Sequence, residues 1–249
     1  MSKTKINWAD ETANPLVGCT KIASGCENCY AIQMANRLQS MGTEGYKGTV
    51  YKTPHGKLNW TGEINFIPKR LEGAAKSKKS LRIFVNSMSD LFHDKVTDEQ
   101  IKKILDIITA NQQHTFLILT KRIKRANDWK LCDIKNLWLG YSASNQHDLN
   151  MGIDFLLQAD AKIKWLSIEP MLSYIYNIPK IDWIVVGCES GLNRRPFYND
   201  WAKEIINTNK DIPIWIKQIR DEKNNVIDDI NLFPKELQLR QLPNNREGE

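Results

Sequence analysis

The sequence lacks the features of several protein classes. None of its apolar runs approaches the roughly 20 residues that cross a bilayer, and residues 1–15 lack the apolar stretch of a signal peptide. We therefore expect a cytoplasmic protein that does not associate with a membrane. No segment repeats at a fixed period, so a solenoid is also excluded.

Histidine is scarce, and this scarcity argues against an ordinary hydrolase. The chain has only four histidines, and none follows a predicted strand where it could activate Ser190 or Cys188. The segment around Ser190, Gly-Cys-Glu-Ser-Gly, also departs from the G-x-S-x-G turn of α/β hydrolases. The chemistry is therefore expected to depend on other groups.

The chain does have enough apolar residues for one substantial core and an excess of positive charge. Hydrophobic residues make up 41% of the 249 residues, and the formal net charge is +6. Much of the excess lies in two basic patches, residues 69–82 and 121–125. Such patches favour a phosphate-bearing partner, a nucleotide or a nucleic acid, although a solvated helix face gives the same pattern.

Six short apolar runs predict the strands of a parallel sheet. They are near-continuously apolar, which is typical of strands buried on both faces, and they alternate with helical stretches. This alternation predicts an α/β fold with right-handed crossovers. With one short strand before Cys19, the strands are too few for a closed eight-stranded barrel, so a partial barrel or an open doubly wound sheet remains. The six runs are residues 81–85, 115–119, 137–141, 163–168, 182–186 and 212–216.

Helices and loops complete the expected organisation. Helices are predicted at about 30–41, 68–77, 147–159 and 200–209, and another around 101–108 begins after a Thr97–Gln100 capping box. One domain is expected over residues 1–220, with a glycine-rich inserted loop or hairpin at about 42–67. Residues 221–249 are polar and lack a clear period, so a loosely packed tail is expected there.

Polar side chains follow every one of the six predicted strands. Because chemistry collects at the carboxyl ends of parallel strands, we infer a polar ligand site at that rim, although any single Ser or Asn could merely cap a helix. The residues concerned include Asn86, Ser87, Asp90, Lys121, Arg122, Ser142, Asn145, Glu169, Glu189, Ser190 and Lys217.

A cysteine cluster lies before the first long predicted helix. Cys19, Cys26 and Cys29 have the spacing C-x6-C-x2-C, which is typical of a metal site in a cytosolic protein. Three ligands suit an iron–sulfur cluster with one open iron, whereas a zinc site would need a fourth ligand, from Cys188 or His55. Cys132 is expected to be an ordinary buried cysteine.

Several segments resemble one family in their order along the chain. They are NWADETANPLVGCTKIASGCENCYA, FVNSMSDLFHDKV, QHTFLILTKR, LWLGYSASNQ, IKWLSIEPML and DWIVVGCESG, and together they span about residues 6–220. They resemble the phage Gp37/Gp68 family, also called three-Cys-motif or DUF5131 proteins, which is similar to radical S-adenosylmethionine (SAM) enzymes.

The resemblance implies a fold and two cofactors. It implies a partial (β/α)6-type TIM-like barrel, a [4Fe–4S] cluster on Cys19, Cys26 and Cys29, and SAM at the open iron. Reduction of the cluster would then cleave SAM to a 5′-deoxyadenosyl radical that abstracts hydrogen from a substrate. The six-residue gap after Cys19 is wider than the usual three.

The resemblance also implies roles for the rim residues. By strand order, Asn86, Ser87 and Asp90 are expected to hold the amine of SAM, Ser142 and Asn145 its ribose, and Glu169 the ribose or the substrate. Contacts to the substrate or to the SAM carboxylate are expected from Lys121, Arg122, Glu189, Ser190, Arg194 and Lys217.

Cys188 and the partners of the protein remain open at the level of sequence. The family usually has glycine where this chain has Cys188, which could close the open iron, donate a hydrogen atom or simply pack as a small residue. A radical SAM enzyme would also need an electron donor, and a partner protein is conceivable. The alternative is a non-catalytic nucleic-acid-binding protein whose cysteines hold zinc or an iron–sulfur cluster.

Overall fold

The computed structural model describes residue 4 and residues 6–243. The helices are α1 (Tyr30–Ser40), α2 (Lys69–Ala75), α3 (Asp98–Ala110), α4 (Ile123–Ala126), α5 (Gln146–Gln158) and α6 (Asn199–Thr208). The strands are β1 (Glu11–Ala13), β2 (Leu16–Val17), β3 (Val50–Lys52), β4 (Leu58–Trp60), β5 (Asn65–Phe66), β6 (Arg82–Val85), β7 (Thr115–Thr120), β8 (Leu137–Ser142), β9 (Ile163–Ile168), β10 (Trp183–Gly187), β11 (Ile214–Arg220) and β12 (Val226–Ile227).

An eight-stranded sheet forms the centre of the molecule. Its order is β1-β6-β7-β8-β9-β10-β11-β12, and every neighbouring pair from β1 to β11 is parallel. Only β12 is antiparallel to its neighbour. The predicted α/β fold with a mainly parallel sheet is therefore confirmed, and the carboxyl ends of seven strands meet at one rim.

The sheet curves into a partial barrel around an indole ring. Trp8 lies 4.8 Å from Phe84 on β6 and 6.2 Å from Trp183 on β10, measured between ring centroids. In a flat sheet these two strands would be about 19 Å apart, because adjacent strands lie about 4.8 Å apart. The inner face is thus concave, and its core consists mainly of aromatic side chains, including Trp138, Trp165 and Trp215.

Helices cover the convex face. In α3 the apolar residues Ile101, Ile104 and Ile108 are fully buried against the sheet. The capping box that begins α3 is present as predicted: the Thr97 hydroxyl accepts a hydrogen bond from the Gln100 backbone, and the Gln100 side chain accepts one from the Thr97 backbone.

The glycine-rich segment 42–67 contains a β-hairpin beside α1. Strands β3 and β4 pair antiparallel, and β5 pairs with β2 near the cysteine loop. A small separate core joins them to α1 through Ile32, Val50 and Trp60.

Of the polar C-terminal segment 221–249, which is expected to be a loosely packed tail, residues 221–243 are described and residues 244–249 lie outside the described residues. Phe233 and Leu237 are buried, and the edge of β11 is hydrogen-bonded by the backbone of residues 239–241. The segment has few apolar residues, irregularly spaced, so it shows no period, yet they suffice to cover the last parallel strand.

Within residues 4 and 6–243, no helix is both long and apolar enough to cross a membrane.

Candidate functional site

The three cysteines of the C-x6-C-x2-C segment lie in one loop between β2 and α1. Cys26 ends a 3-10 turn (Ser24–Cys26), and Cys29 directly precedes α1. The backbone N–H of Cys29 donates to the Cys26 carbonyl at 3.3 Å. All three cysteines are half-buried. The loop lies over the carboxyl ends of β7, β8 and β10, where its residues contact the segments described below.

Two glycines allow the loop to approach the barrel closely. A Cβ atom on Gly25 would lie 2.1 Å from the Ser144 hydroxyl oxygen, and one on Gly191 would lie 2.2 Å from the Asn28 carbonyl oxygen. Neither contact leaves room for a side chain. The loop therefore packs closely between the segments that follow β8 and β10.

Two of the three thiols resist ionisation. Burial raises the pKa of Cys19 to about 12, with a further increase from the charge of Asp90 that Arg122 partly offsets. Burial also raises the pKa of Cys29. Cys19 and Cys29 are therefore protonated at neutral pH until a metal displaces their protons. Charges on the three sulfur atoms are close enough to act on one another.

These residues fit a cluster better than a single ion. Within residues 4 and 6–243, no three His, Cys, Asp or Glu side chains are close enough to share one ion. A four-iron cluster binds each thiolate at a different iron, so its three cysteines can lie further apart than the ligands of a single ion. Of the two proposed fourth zinc ligands, His55 is exposed in the β3–β4 turn, away from the loop. Cys188 is fully buried and donates its S–H to the Ile219 carbonyl at 3.4 Å, but it lines the same cavity as Cys26 and Cys29.

A cavity of about 160 Å³ opens below the cysteine loop into the barrel. Its floor includes Trp8 and Phe84 of the inner core, and Cys26 and Cys29 line its upper part. Polar rim residues complete the wall: Lys121, Glu169, Glu189, Ser190 and Lys217. Five of the predicted rim residues therefore share one cavity that has both acidic and basic groups.

Glu169 and Lys217 form an ion pair in the wall of this cavity. Both side chains are largely buried, with 16% and 10% of their surfaces exposed. Lys217 lies within β11 rather than after it, since the strand continues to Arg220. The pair joins the end of β9 to the middle of β11.

Asn86 carries an unpaired polar group. Its side-chain oxygen and nitrogen are both buried and have no hydrogen-bond partner among the described residues. The residues after it are held firmly, because the Asn14 side-chain oxygen accepts hydrogen bonds from the backbones of Ser87 and Met88 and from the Ser87 hydroxyl. Asn86 is thus a rigid amide whose hydrogen-bonding capacity the protein does not use.

Asp90 binds protein groups rather than open space. Its carboxylate accepts hydrogen bonds from the Thr120 hydroxyl at 2.7 Å and the Lys121 backbone at 3.1 Å, and pairs with Arg122 at 3.3 Å. Arg122 in turn donates to the Thr20 hydroxyl at 2.6 Å, next to Cys19. Asp90 and Arg122, predicted to contact SAM and substrate, instead connect β7 to the cysteine loop.

Ser142 and Asn145 are also engaged with protein groups. The Lys121 ammonium donates to the Ser142 hydroxyl at 2.8 Å. The Asn145 oxygen caps α5 by accepting from the Asp148 backbone at 2.8 Å, and its amide nitrogen donates to the Ser24 hydroxyl at 2.8 Å. Asn145 therefore connects the cysteine loop to the segment after β8, whereas Ser142 connects the end of β8 to Lys121 after β7.

Glu189 forms a similar connection from β10. It is buried and accepts hydrogen bonds from Arg195 and, at 3.0 Å, from Asn28. Burial opposes its ionisation, but the bonds from Arg195 and Asn28 outweigh burial and hold the pKa of Glu189 below its usual value. Arg195 also donates to the Ser24 carbonyl at 2.9 Å.

Arg194 does not reach this network. Arg194, predicted to contact the substrate or the SAM carboxylate, is exposed and does not line the cavity. Its neighbour Arg195 is the arginine that binds Glu189. The sequence could not distinguish two adjacent arginines in a loop without a period. Asn14, Thr20 and Asn28 were likewise missed, because short polar residues in loops carry no signal of long-range contacts.

The sequence matches one family along most of its length. A family model described as "Protein of unknown function (DUF5131)" matches residues 3–237. No curated protein matches the chain.

Solved structures of spore photoproduct lyase are similar to this chain at low identity. A cysteine-to-serine mutant has a TM-score of 0.48 and 12% identity, and the match covers 88% of this chain and 67% of that one. A mutant with bound AdoMet and dinucleoside spore photoproduct has a TM-score of 0.45 and 11% identity, with the same coverage.

Proposed function

The chain belongs to the DUF5131 family, and from this premise and the site geometry we propose that it is a radical SAM enzyme. The proposal is carried by one observation: three half-buried thiols of a single loop lie within coulombic reach of one another at the mouth of a partial barrel, next to a polar cavity. Cys19, Cys26 and Cys29 would hold a [4Fe–4S] cluster and leave one iron for SAM.

The bound cofactors would supply the chemistry that no side chain can. When bound and reduced by a donor protein, the cluster would supply the electron that cleaves SAM to methionine and a hydrogen-abstracting 5′-deoxyadenosyl radical. We propose a nucleotide or nucleic acid as the substrate class. The side chains of the cavity would bind and orient SAM and the substrate and would exclude water.

The rim residues divide into two groups in this proposal. Asn86 has a buried, unpaired amide and would hydrogen-bond the polar groups of SAM, with the Glu169–Lys217 pair and Ser190 facing SAM or substrate in the cavity wall. The second group consists of positioning residues. Arg122, Asn145 and Glu189 hydrogen-bond residues of the cysteine loop. Asp90 holds Arg122, and Lys121 and Ser142 bind each other beside the loop.

Anaerobic reconstitution tests this function. With iron, sulfide and a reductant, each chain is expected to bind about four iron and four sulfide ions and to convert SAM to 5′-deoxyadenosine. Cys26→Ser is expected to lower iron content and abolish SAM cleavage. Cys132→Ser is the matched control, because Cys132 is half-exposed, not buried as the sequence suggested, and its thiol donates to Asp160 away from the loop.

Two outcomes would contradict the proposal. Iron and sulfide that bind without any binding or cleavage of SAM would remove its enzymatic part. Stoichiometric zinc without sulfide, in protein purified without oxygen, would favour a metal-stabilised binding module instead.

A further inference from the structure

Most cationic groups of the two basic patches are already bound to protein groups or lie away from the cavity. In the first patch, Lys69 pairs with Glu44, Arg70 donates to the Asn14 and Glu44 carbonyls, and Arg82, at the amino end of β6, pairs with Asp10. In the second patch, Lys121 binds Ser142, Arg122 binds Asp90, and Arg125 donates to backbone carbonyls and pairs with Asp98. Lys124 is exposed beside the cysteine loop and lies over the Phe155 ring. A polyanionic ligand of the cavity would need another cationic surface.

Such a surface exists between α1 and the β3–β4 hairpin. A cleft of about 520 Å³ is lined by three lysines and by several side-chain amides: Lys21, Lys52, Lys57, Asn28, Gln33 and Asn36. The one carboxylate in its lining, Glu27, is paired with Lys21 at 3.5 Å. Lys52 and Lys57 are exposed and have no side-chain hydrogen bond or ion pair within the described part of the chain, so the cleft carries a net positive charge.

The cleft leads directly to the cysteine loop. Asn28 and Cys29 line both this cleft and the cavity inside the barrel mouth. A ligand that occupies the cleft is therefore adjacent to the site at which hydrogen abstraction is proposed.

The chemistry of the cleft matches a nucleic-acid strand. Lysine ammonium groups bind phosphodiesters, and the amides of Gln33 and Asn36, which make no hydrogen bonds within residues 4 and 6–243, offer both donors and acceptors to base edges. The cleft falls in the size range of small-molecule sites, about 300–1,000 Å³, so it accommodates a nucleotide or two of an unpaired strand rather than a duplex.

We propose that this lysine cleft binds single-stranded nucleic acid and presents one nucleotide to the cavity. The inference rests on the proposed function for the reaction that follows, but binding in the cleft requires neither cluster nor SAM.

Fluorescence anisotropy with a labelled 20-nucleotide single-stranded DNA or RNA of mixed sequence tests the cleft. Lys52→Glu with Lys57→Glu is expected to weaken binding about tenfold or more near 0.15 M salt. Removing two phosphate contacts is also expected to reduce the slope of log K against log salt by about 1.4. The matched control is Lys76→Glu with Lys78→Glu, which makes the same charge change at exposed lysines near the amino end of β6 and is expected to change affinity less than threefold.

The results that would overturn the inference are distinct. The first is an equal loss of affinity in both double variants, and the second is no binding of any single strand. The third is binding of a mononucleotide or of a duplex that is as tight as binding of the single strand. A failure of cluster loading with lysine-dependent strand binding intact would contradict the proposed function alone. Cluster loading and SAM cleavage without strand binding would contradict the cleft alone.

Discussion

At the scale of single residues, the carboxylates near the site have different tasks that their sequence positions do not reveal. Asp90 and Glu169 both follow a strand, and the sequence predicts a ligand contact for each. In space, Asp90 is surrounded by donors from the β7 loop, whereas Glu169 pairs with Lys217 in the cavity wall. The sequence could predict the rim, but not which acids face it, because the partners are about 30 to 50 residues away along the chain.

Asp90→Asn tests the positioning role. The side chains of Asp90 and Arg122 are only 8% exposed, so removing the charge leaves a buried guanidinium uncompensated. We expect the free energy of unfolding to fall by about 3 kcal/mol in urea titrations. Asp94→Asn is the control, because Asp94 is 84% exposed and 4.0 Å from Arg122, and a change within about 0.5 kcal/mol is expected. Equal effects of the two substitutions would contradict the role.

Gly25→Ala tests the close approach of the cysteine loop. The added methyl group would meet the Ser144 hydroxyl at 2.1 Å and displace the turn that carries Cys26, so iron content after reconstitution is expected to fall severalfold. Ser144→Ala alone is expected to leave stability and iron unchanged, because that hydroxyl is buried without a partner.

The double variant Gly25→Ala with Ser144→Ala supplies the rescue. It removes the closest atom and leaves Ser144 Cβ at 3.2 Å, so partial recovery of iron is expected. If the double variant binds no more iron than Gly25→Ala, the close contact between Gly25 and Ser144 does not determine the position of the turn that carries Cys26.

At the scale of elements, the sequence predicted the long strands and helices well because their apolar patterns are local. The predicted run at 137–141 and helix at 147–159 correspond to β8 and α5 within a residue or two. The largest departure is β11, predicted at 212–216 but present at Ile214–Arg220. Its second half is a strand because β12 pairs with Ile219 and Arg220, and no local pattern indicates such a partner.

Asn145→Ala separates the helix cap from the bond to the loop. Loss of the α5 cap is expected to lower the free energy of unfolding by about 1 kcal/mol. Ser24→Ala removes only the bond between Asn145 and the cysteine loop, so thermal and urea unfolding are expected to change less. If both variants lose the same stability, the cap contributes nothing of its own.

At the scale of the whole molecule, the C-terminal segment is part of the barrel. It buries Phe233 and Leu237, and the Trp183 indole donates to the Gln241 carbonyl at 2.8 Å. The last parallel strand would otherwise present a bare edge. Residues 226–241 therefore contribute contacts to the sheet, and we propose that the stable unit includes them.

A chain that ends at residue 220 is expected to lose at least about 4 kcal/mol of unfolding free energy, since two large side chains at roughly 2 kcal/mol each lose their burial. A chain that ends at residue 243 keeps every contact described above and serves as the control in denaturant titrations. Leu237→Ala in the full chain, with an expected cost of about 3 kcal/mol, provides a second measurement if the short chain does not accumulate. Equal stability of the chains ending at 220 and 243 would contradict this role.

The contacts between residue 7 and β11 can form only after most of the chain has been synthesised. Asn7 bridges to β11, where its amide donates to the Lys217 carbonyl and its oxygen accepts from the Trp215 indole, across 210 and 208 positions of the chain. The residue after it, Trp8, fills the barrel interior. A ribosome therefore releases the cysteines early, but the walls that fix their loop, Glu189 and Arg195 included, emerge near the end of synthesis. Under the proposed function, iron would be delivered after translation, once Glu189 and Arg195 can hold the cysteine loop.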